Sequence, residues 1–182
     1  MEHRKSANAS RTQLVLIVVI ALASLGGAWL LYFLTSTGDP WATSNHGAFV
    51  NPPLMAHELG VRSAAGDPFS PEGDWWIWVV PAGPCDRDCE AALHQVRQVH
   101  VLLNREAHRV RRALVSPGAA ADASLLERYP RLALLSGNLA ALERGVYLVD
   151  PEGRLVLRYV LTDAGEPVLD DLKRLLKVSQ IG

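Results

Sequence analysis

Trp75-Trp-Ile-Trp-Val-Val-Pro-Ala-Gly-Pro-Cys-Asp-Arg-Asp-Cys89 is the stretch on which the fold turns. Its first six residues form a continuous run of β-branched and aromatic side chains, the pattern of a central strand covered on both faces. Alternation puts Trp76 and Trp78 on one face and Trp75 on the other. Core packing is the expected role for these rings, with an aromatic docking surface as the rival. Pro81, Gly83 and Pro84 stop the run. Beyond them Cys85, Cys89, Ala92, Leu93, Val96, His100 and Leu103 recur on one helical stripe, so a helix is expected from residue 85 to about residue 107. Both cysteines then stand where a strand hands over to a helix.

Downstream, residues 109–115 read as a second strand ended by Ser116-Pro-Gly118, and residues 123–129 as a short helix. Residues 132–135 suit a brief strand or an extended link, and residues 138–143 another helical turn. Arg109, Arg111 and Arg112 are spaced like a solvated strand edge or helix exit rather than a phosphate site. The clearest local signal follows. Val146-Tyr-Leu-Val149 and Leu155-Val-Leu-Arg-Tyr-Val160 flank Asp150-Pro-Glu-Gly-Arg154, with proline second and glycine fourth in the turn, which predicts a hairpin. A last amphipathic helix is expected over residues 165–178, through Val168, Leu172, Leu175 and Leu176. Strand, helix, strand, helix, hairpin, helix is the order of an α/β thioredoxin-like sandwich, a parallel β-α-β half joined to an antiparallel hairpin.

Upstream, residues 35–73 are rich in Pro, Gly, Ser and Asn and include Asn51-Pro-Pro53. They read as a tether lying partly against the domain of residues 74–182, with one strand near residues 58–62. Residues 14–34 carry no charge, and a helix of that length spans roughly the 30 Å core of a bilayer. A transmembrane helix is therefore expected over residues 12–34, with Trp29, Tyr32 and Phe33 near its outer end. Arg4, Lys5 and Arg11 precede it against Glu2 alone, and the next basic residue is Arg62. The positive-inside bias puts residues 1–11 in the cytoplasm and residues 35–182 outside, as a single-pass protein. The alternative is a cleaved signal. Signal apolar regions run about 7–15 residues and end at a small-x-small site; this one is longer, and Leu34-Thr-Ser-Thr-Gly-Asp matches such a site poorly. A retained anchor is the expectation.

Composition sets outer limits. In 182 residues, 49% apolar and 20% charged side chains exclude disorder throughout. Eighteen basic against nineteen acidic residues give a net charge of −1, which argues against a nucleic-acid partner. Beyond residue 34 the balance is fifteen to eighteen, so the exported part is mildly acidic.

Cys85 and Cys89 are the whole cysteine content. At i and i+4 on a first helical turn, both sulfurs share a face near free backbone N–H groups and the positive end of the helix dipole, which favour a thiolate. Arg87 adds to that effect and Asp86 and Asp88 oppose it. A thiolate pair serves disulfide exchange or a soft metal. The plainer reading is a passive disulfide, although a bridge closing so few residues contributes only about 2 kcal/mol in the loop-entropy picture.

Gly83-Pro-Cys-Asp-Arg-Asp-Cys89, between an apolar strand and a long helix, resembles the Cys-x-x-x-Cys site of Sco-type copper chaperones. Tyr147-Leu-Val-Asp-Pro-Glu-Gly-Arg154 is similar to the hairpin of that family and of related thioredoxin-like proteins, and the anchored, exported arrangement matches as well. The resemblance covers about residues 75–178 and is to a short, divergent Sco-like protein of proteobacterial cytochrome c oxidase assembly, which implies the bacterial inner membrane with the main domain facing the periplasm. It implies copper(I) held by two thiolates, here Cys85 and Cys89, and one histidine. It also implies delivery to the binuclear centre of oxidase subunit II, thiol–disulfide work on that centre's cysteines, and an oxidase subunit or another assembly factor as partner. The family's histidine falls at Leu142 here, and no proline precedes Val146 where thioredoxin-type oxidoreductases carry one. His94 points away from Cys89 on a helix, and His100 lies about 16 Å further along the axis. His108 reads as solvated, and His46 and His57 lie in the tether, from which either can reach the site only if the tether folds over it. A two-thiolate copper(I) site completed by a partner's ligand is chemically reasonable. Two other functions stay open: a general thiol–disulfide oxidoreductase, and an assembly scaffold without redox chemistry.

Overall fold

The computed structural model describes residues 3–36, 45–81, 83–117 and 123–179. Its strands are Ala48–Met55 (β1), Arg62–Ser63 (β2), Trp75–Val80 (β3), Val110–Ser116 (β4), Leu132–Ser136 (β5), Gly145–Val149 (β6) and Arg154–Tyr159 (β7). Its helices are His3–Ser36 (α1), Arg87–Leu102 (α2), Ala123–Arg128 (α3) and Glu166–Val178 (α4). Two units result, residues 1–44 and residues 45–182. In the first, residues Gln13–Phe33 of α1 are exposed along their length, and they are long and apolar enough to cross a membrane. The exit from this helix and the start of the expected tether, residues 37–44, lie outside the described residues, as do residues 118–122 after the second strand.

In the second unit one sheet runs β1-β7-β6-β3-β4-β5-β2. β3 pairs in parallel with β4 through α2, and antiparallel with β6 of the β6–β7 hairpin. This is the thioredoxin-like α/β arrangement that the element order predicts. The hairpin turn closes as proline and glycine dictate. Gly153 N–H donates to Asp150 O at 2.9 Å with Gly153 at φ +86°, and Asp150 Oδ1 accepts from the N–H groups of Glu152 and Arg154.

All six residues of β3 are buried, and the two faces are covered by different means. On one face Trp75, Ile77 and Val79 meet Cys89, Leu93 and Val96 of α2 and Val168, Leu172 and Leu176 of α4. On the other, Trp76, Trp78 and Val80 meet Ala56, Leu59, Val61 and Phe69. The Phe69 ring stands edge-on to Trp76 and to Trp78, each 5.1 Å away, and Trp76 Nε1–H donates to Pro71 O. The tryptophans are core, divided between the faces as alternation requires. The stretch read as a tether is, from residue 45, part of the domain: residues 56–71 form the lid on the second face.

Several local expectations shift. The strand expected near residues 58–62 is only the two-residue β2 at Arg62–Ser63, and the longer strand of this stretch is β1, because the edge tolerates the proline pair. β1 pairs only with β7, and its register slips between Phe49 and Leu54, so Pro52 and Pro53 owe no ladder hydrogen bond. α2 ends at Leu102 and not near residue 107, because Asn104 takes a left-handed φ of +51° and a 3-10 turn, Asn104–Arg109, follows. Residues 138–143 hold a single turn, Leu142 N–H to Leu139 O, on the way into β6. The arginines near β4 are not all solvated. Arg112, in register with Ile77 on the face of the sheet that α2 covers, is only 6% exposed, and Arg109 donates to Leu176 O and Ser179 O at the end of α4. Arg111 alone of the three is exposed, with Asp74 and Glu72 as partners.

Candidate functional site

Cys85 and Cys89 are joined as a disulfide across a Cα separation of 5.2 Å. Cys85 does not open the helix. Asp86 is the N-cap, in extended conformation, and Cys85 lies in the loop before it. The cap turn supplies the closeness that helical spacing was expected to supply. Asp86 Oδ1 accepts the Cys89 N–H at 3.0 Å, while Asp86 O accepts the Glu90 N–H at 2.9 Å. The two sulfurs are unequal. Cys89 is fully buried in the core between β3 and α2, whereas Cys85 is half-buried and packs against that core from outside.

Arg144 is the residue that sequence reasoning missed. Its guanidinium bridges Asp86 at 2.8 Å and Asp88 at 3.2 Å, tying down the two carboxylates that flank Arg87. Register brings it there: Gly145 is paired with Val80, so Arg144 falls beside the end of β3 from which the cysteine loop leaves. No local pattern marks such a residue, because the contact depends on which strand neighbours β3. Asp86 responds to both partners. The Cys89 amide, and after it the Arg144 guanidinium, holds its carboxyl below the usual carboxylate range against the opposing pull of desolvation. Gly145 occupies the place before Val146, where thioredoxin-type oxidoreductases carry a proline. A Cβ there would run into the carbonyl oxygen of Tyr159 on β7.

A cleft of about 540 Å³ lies beside this corner, lined by Val80, Pro81, Pro117, Leu139, Leu142 and Arg144. Leu142, which stands where the resemblance asks for histidine, therefore lines the cleft but cannot coordinate. The remaining histidines do not make up for it. His94 is exposed, and His100 Nε2–H donates to Val110 O at 3.0 Å on the far side of α2's length. His108 is exposed and bonded to Arg105 O. His46 sits at the start of β1, three strands or roughly 14 Å from β3. There its N–H donates to Asp171 and its ring lies 3.9 Å from Asp170. His57 lies in the turn after β1, at the end of the sheet where β3 begins and the cysteines are not. Among the described residues no three His, Cys, Asp or Glu side chains form a group able to hold a metal ion. Two sulfurs without a third donor do not fit a resident three-ligand copper site.

Residues 75–179 match the family described as transmembrane-like, thioredoxin-like, C-terminal domain. The chain belongs to this family. No curated protein matches it. Among solved structures this thioredoxin-like domain is similar to yeast Sco1, at 17% identity and TM-score 0.52 over 71% of this chain and 96% of that one. A structure of yeast Sco1 with copper bound aligns at 16% identity and TM-score 0.51, over 73% and 93%. A SCO1/SenC family lipoprotein from Bacillus anthracis aligns at 15% identity and TM-score 0.51, over 70% and 97%. The fold is accordingly Sco-like.

Proposed function

We propose that this protein is a membrane-anchored, periplasm-facing, Sco-like accessory factor for assembly of the copper centre of cytochrome c oxidase, and that it acts through thiol–disulfide exchange at Cys85 and Cys89. What carries the reading is one observation. A half-buried Cys85 is bonded to a fully buried Cys89 at the end of the central strand, beside an open cleft. An incoming thiolate can reach only the outer sulfur of such a pair, so Cys85 is the exchanging residue and Cys89 the resolving one.

In the reduced protein, the Cys85 thiolate attacks a disulfide of the client, forming a mixed disulfide and releasing one client thiolate. The Cys89 thiolate then attacks the Cys85 sulfur and releases the second. Two electrons pass to the client, which leaves as a dithiol, and this chain leaves as the Cys85–Cys89 disulfide. A dithiol reductant of the same compartment restores the pair. Arg144 favours the attacking thiolate by neutralising Asp86 and Asp88, which otherwise oppose it. Copper(I) belongs to this scheme as cargo: the two thiolates supply two donors, and the client supplies the next.

The decisive experiment replaces both cysteines, Cys85→Ser with Cys89→Ser, and measures the copper content of the oxidase. Loss of copper is expected. Full copper content in the double variant removes the cysteines from the function and leaves a scaffold role. Titrating the reduced chain with copper(I), alone and with the oxidase subunit, separates the two chemistries: binding only in the presence of the subunit supports a shared site. Rapid turnover on unrelated disulfides would instead mark a general oxidoreductase. For the anchor, an intact N-terminus on the purified protein is expected, and a start near residue 38 would show cleavage.

A further inference from the structure

The structure holds a second cavity, at the opposite end of the sheet from the cysteines. It has a volume of about 490 Å³ and opens where β4 and β5 begin. β2 pairs with β5 only at Leu135 and Ser136, which leaves the first residues of β5 uncovered at this edge. Val110, Leu132 and Ala133 line its apolar part, and Arg112, Arg131, His100 and His108 line the rest. Arg111 also reaches it but is already paired with Asp74 and Glu72.

Arg112 is the unusual member. A guanidinium offers five donors and keeps its charge, and burying one costs several kcal/mol unless a counter-charge is close. Arg112 is only 6% exposed, yet its bond is to a neutral group, Pro130 O at 3.2 Å. Among the described residues, neither Arg112 nor Arg131 nor the neighbouring Arg97 has an ion pair with a carboxylate. Arg97 and Arg131 push the Arg112 guanidinium down from its ordinary value, after the larger effect of burial itself. His100 and His108 are each held by a ring N–H on a backbone carbonyl, so both imidazoles are fixed at the cavity. Positive charge is concentrated here, and among the described residues the only carboxylates paired with a lining arginine are Asp74 and Glu72 on Arg111.

We propose that this cavity binds a phosphate-class oxyanion, free or as the head of a larger molecule. Two guanidiniums present planar forks that match tetrahedral oxyanions through paired N–H bonds. The cavity is larger than a phosphate, and its apolar wall accepts the organic part of an ester. The site is independent of the cysteine chemistry.

The test uses the full chain in detergent micelles, with inorganic phosphate and glycerol 3-phosphate as probes and sodium chloride at equal ionic strength as the control. Each probe is expected to raise the thermal midpoint by about 3 °C at saturation. Arg131 has a left-handed φ of +67°, which asparagine tolerates, so Arg131→Asn removes the charge without straining the backbone. This variant is expected to keep the unliganded midpoint and to weaken phosphate binding about tenfold. Lys173→Gln, on the exposed side of α4, is expected to change neither. Stronger binding of glycerol 3-phosphate than of phosphate points to an organic ester or lipid headgroup, and equal binding to the free ion. In the unsubstituted chain, phosphate is expected to shift the ring resonances of His100 and His108, a readout that needs no variant. Midpoints that follow ionic strength alone, an Arg131→Asn response equal to that of the unsubstituted chain, or histidine resonances unmoved at saturating phosphate would each overturn the proposal.

Discussion

Among the described residues two charged side chains are buried, Asp171 on α4 and Arg112 on β4, and they are treated in opposite ways. Three donors converge on Asp171 Oδ2: the N–H groups of His46 and Gly47 at 2.7 and 2.9 Å and the Tyr159 hydroxyl at 2.8 Å. Burial and the Asp171 carboxylate hold the Tyr159 hydroxyl protonated far above its usual range, so it acts only as a donor there. Arg112 has a single neutral carbonyl. A buried charge supplied with donors from its own chain is a structural tie, here one that fastens the start of β1 to α4 across β7. A buried charge without a counter-ion among the described residues is what the proposed anion site rests on.

The comparison can be broken in four ways. The largest effect is expected at the tie: Asp171→Ala strands the Tyr159 hydroxyl and two backbone N–H groups and should cost about 3 kcal/mol in urea unfolding. A loss near zero would mean that the β1 seam is not held by this carboxylate. Arg112→Met should do the reverse. Removing an uncompensated cation for an apolar side chain of similar length is expected to raise stability by about 1 kcal/mol in phosphate-free buffer. A clear loss there would show that Arg112 already has its partner.

The third test moves to the disulfide corner, where Arg144 is paired but half-exposed. Arg144→Ala should cost under about 1 kcal/mol. It should slow alkylation of the reduced cysteines severalfold at neutral pH, because Asp86 and Asp88 are then left unanswered. An unchanged rate would detach Arg144 from the thiol chemistry.

The smallest effects are in pH dependence. Asp86 has a lowered folded pKa, so its contribution is fully present above the unfolded carboxylate value of about 4 and is lost as pH falls through the folded one. Asp86→Asn should flatten that acid limb. Desolvation, with Arg112 second, lowers the pKa of His100. Between the unfolded value of about 6.5 and the lower folded one the unfolded chain binds more protons, so stability falls as pH falls through that window. His100→Gln should remove the slope. Saturating phosphate should shrink it in the unsubstituted chain, since an anion offsets Arg112.

Much of this domain is legible in local sequence. The β3 run, the Asp150–Arg154 turn and the stripe of α4 each report a period or a turn geometry that a few neighbouring residues determine. What local pattern could not report is pairing. β1 was missed because Pro52 and Pro53 argue against a strand unless it is known to be an edge. The spacing of Arg109, Arg111 and Arg112 suggests a solvated edge, because nothing near Arg112 says which face of β4 the helix α2 covers. At the site, the cysteine pair is visible from its spacing, and the lack of a histidine at Leu142 only through the resemblance to the Sco family. The unequal burial of Cys85 and Cys89, the cap at Asp86 and the bridge from Arg144 are not.

The sequence by itself determined an apolar helix long enough to span a bilayer, a thioredoxin-like order of elements, and a cysteine pair at a strand-to-helix junction. All three rest on contacts within a few residues along the chain. The tertiary structure alone decided which sulfur is reachable, that residues 56–71 cover a sheet face, and that Arg112 is buried without a counter-charge among the described residues. Those depend on which strands become neighbours, a choice made by the burial of both faces of β3 at once.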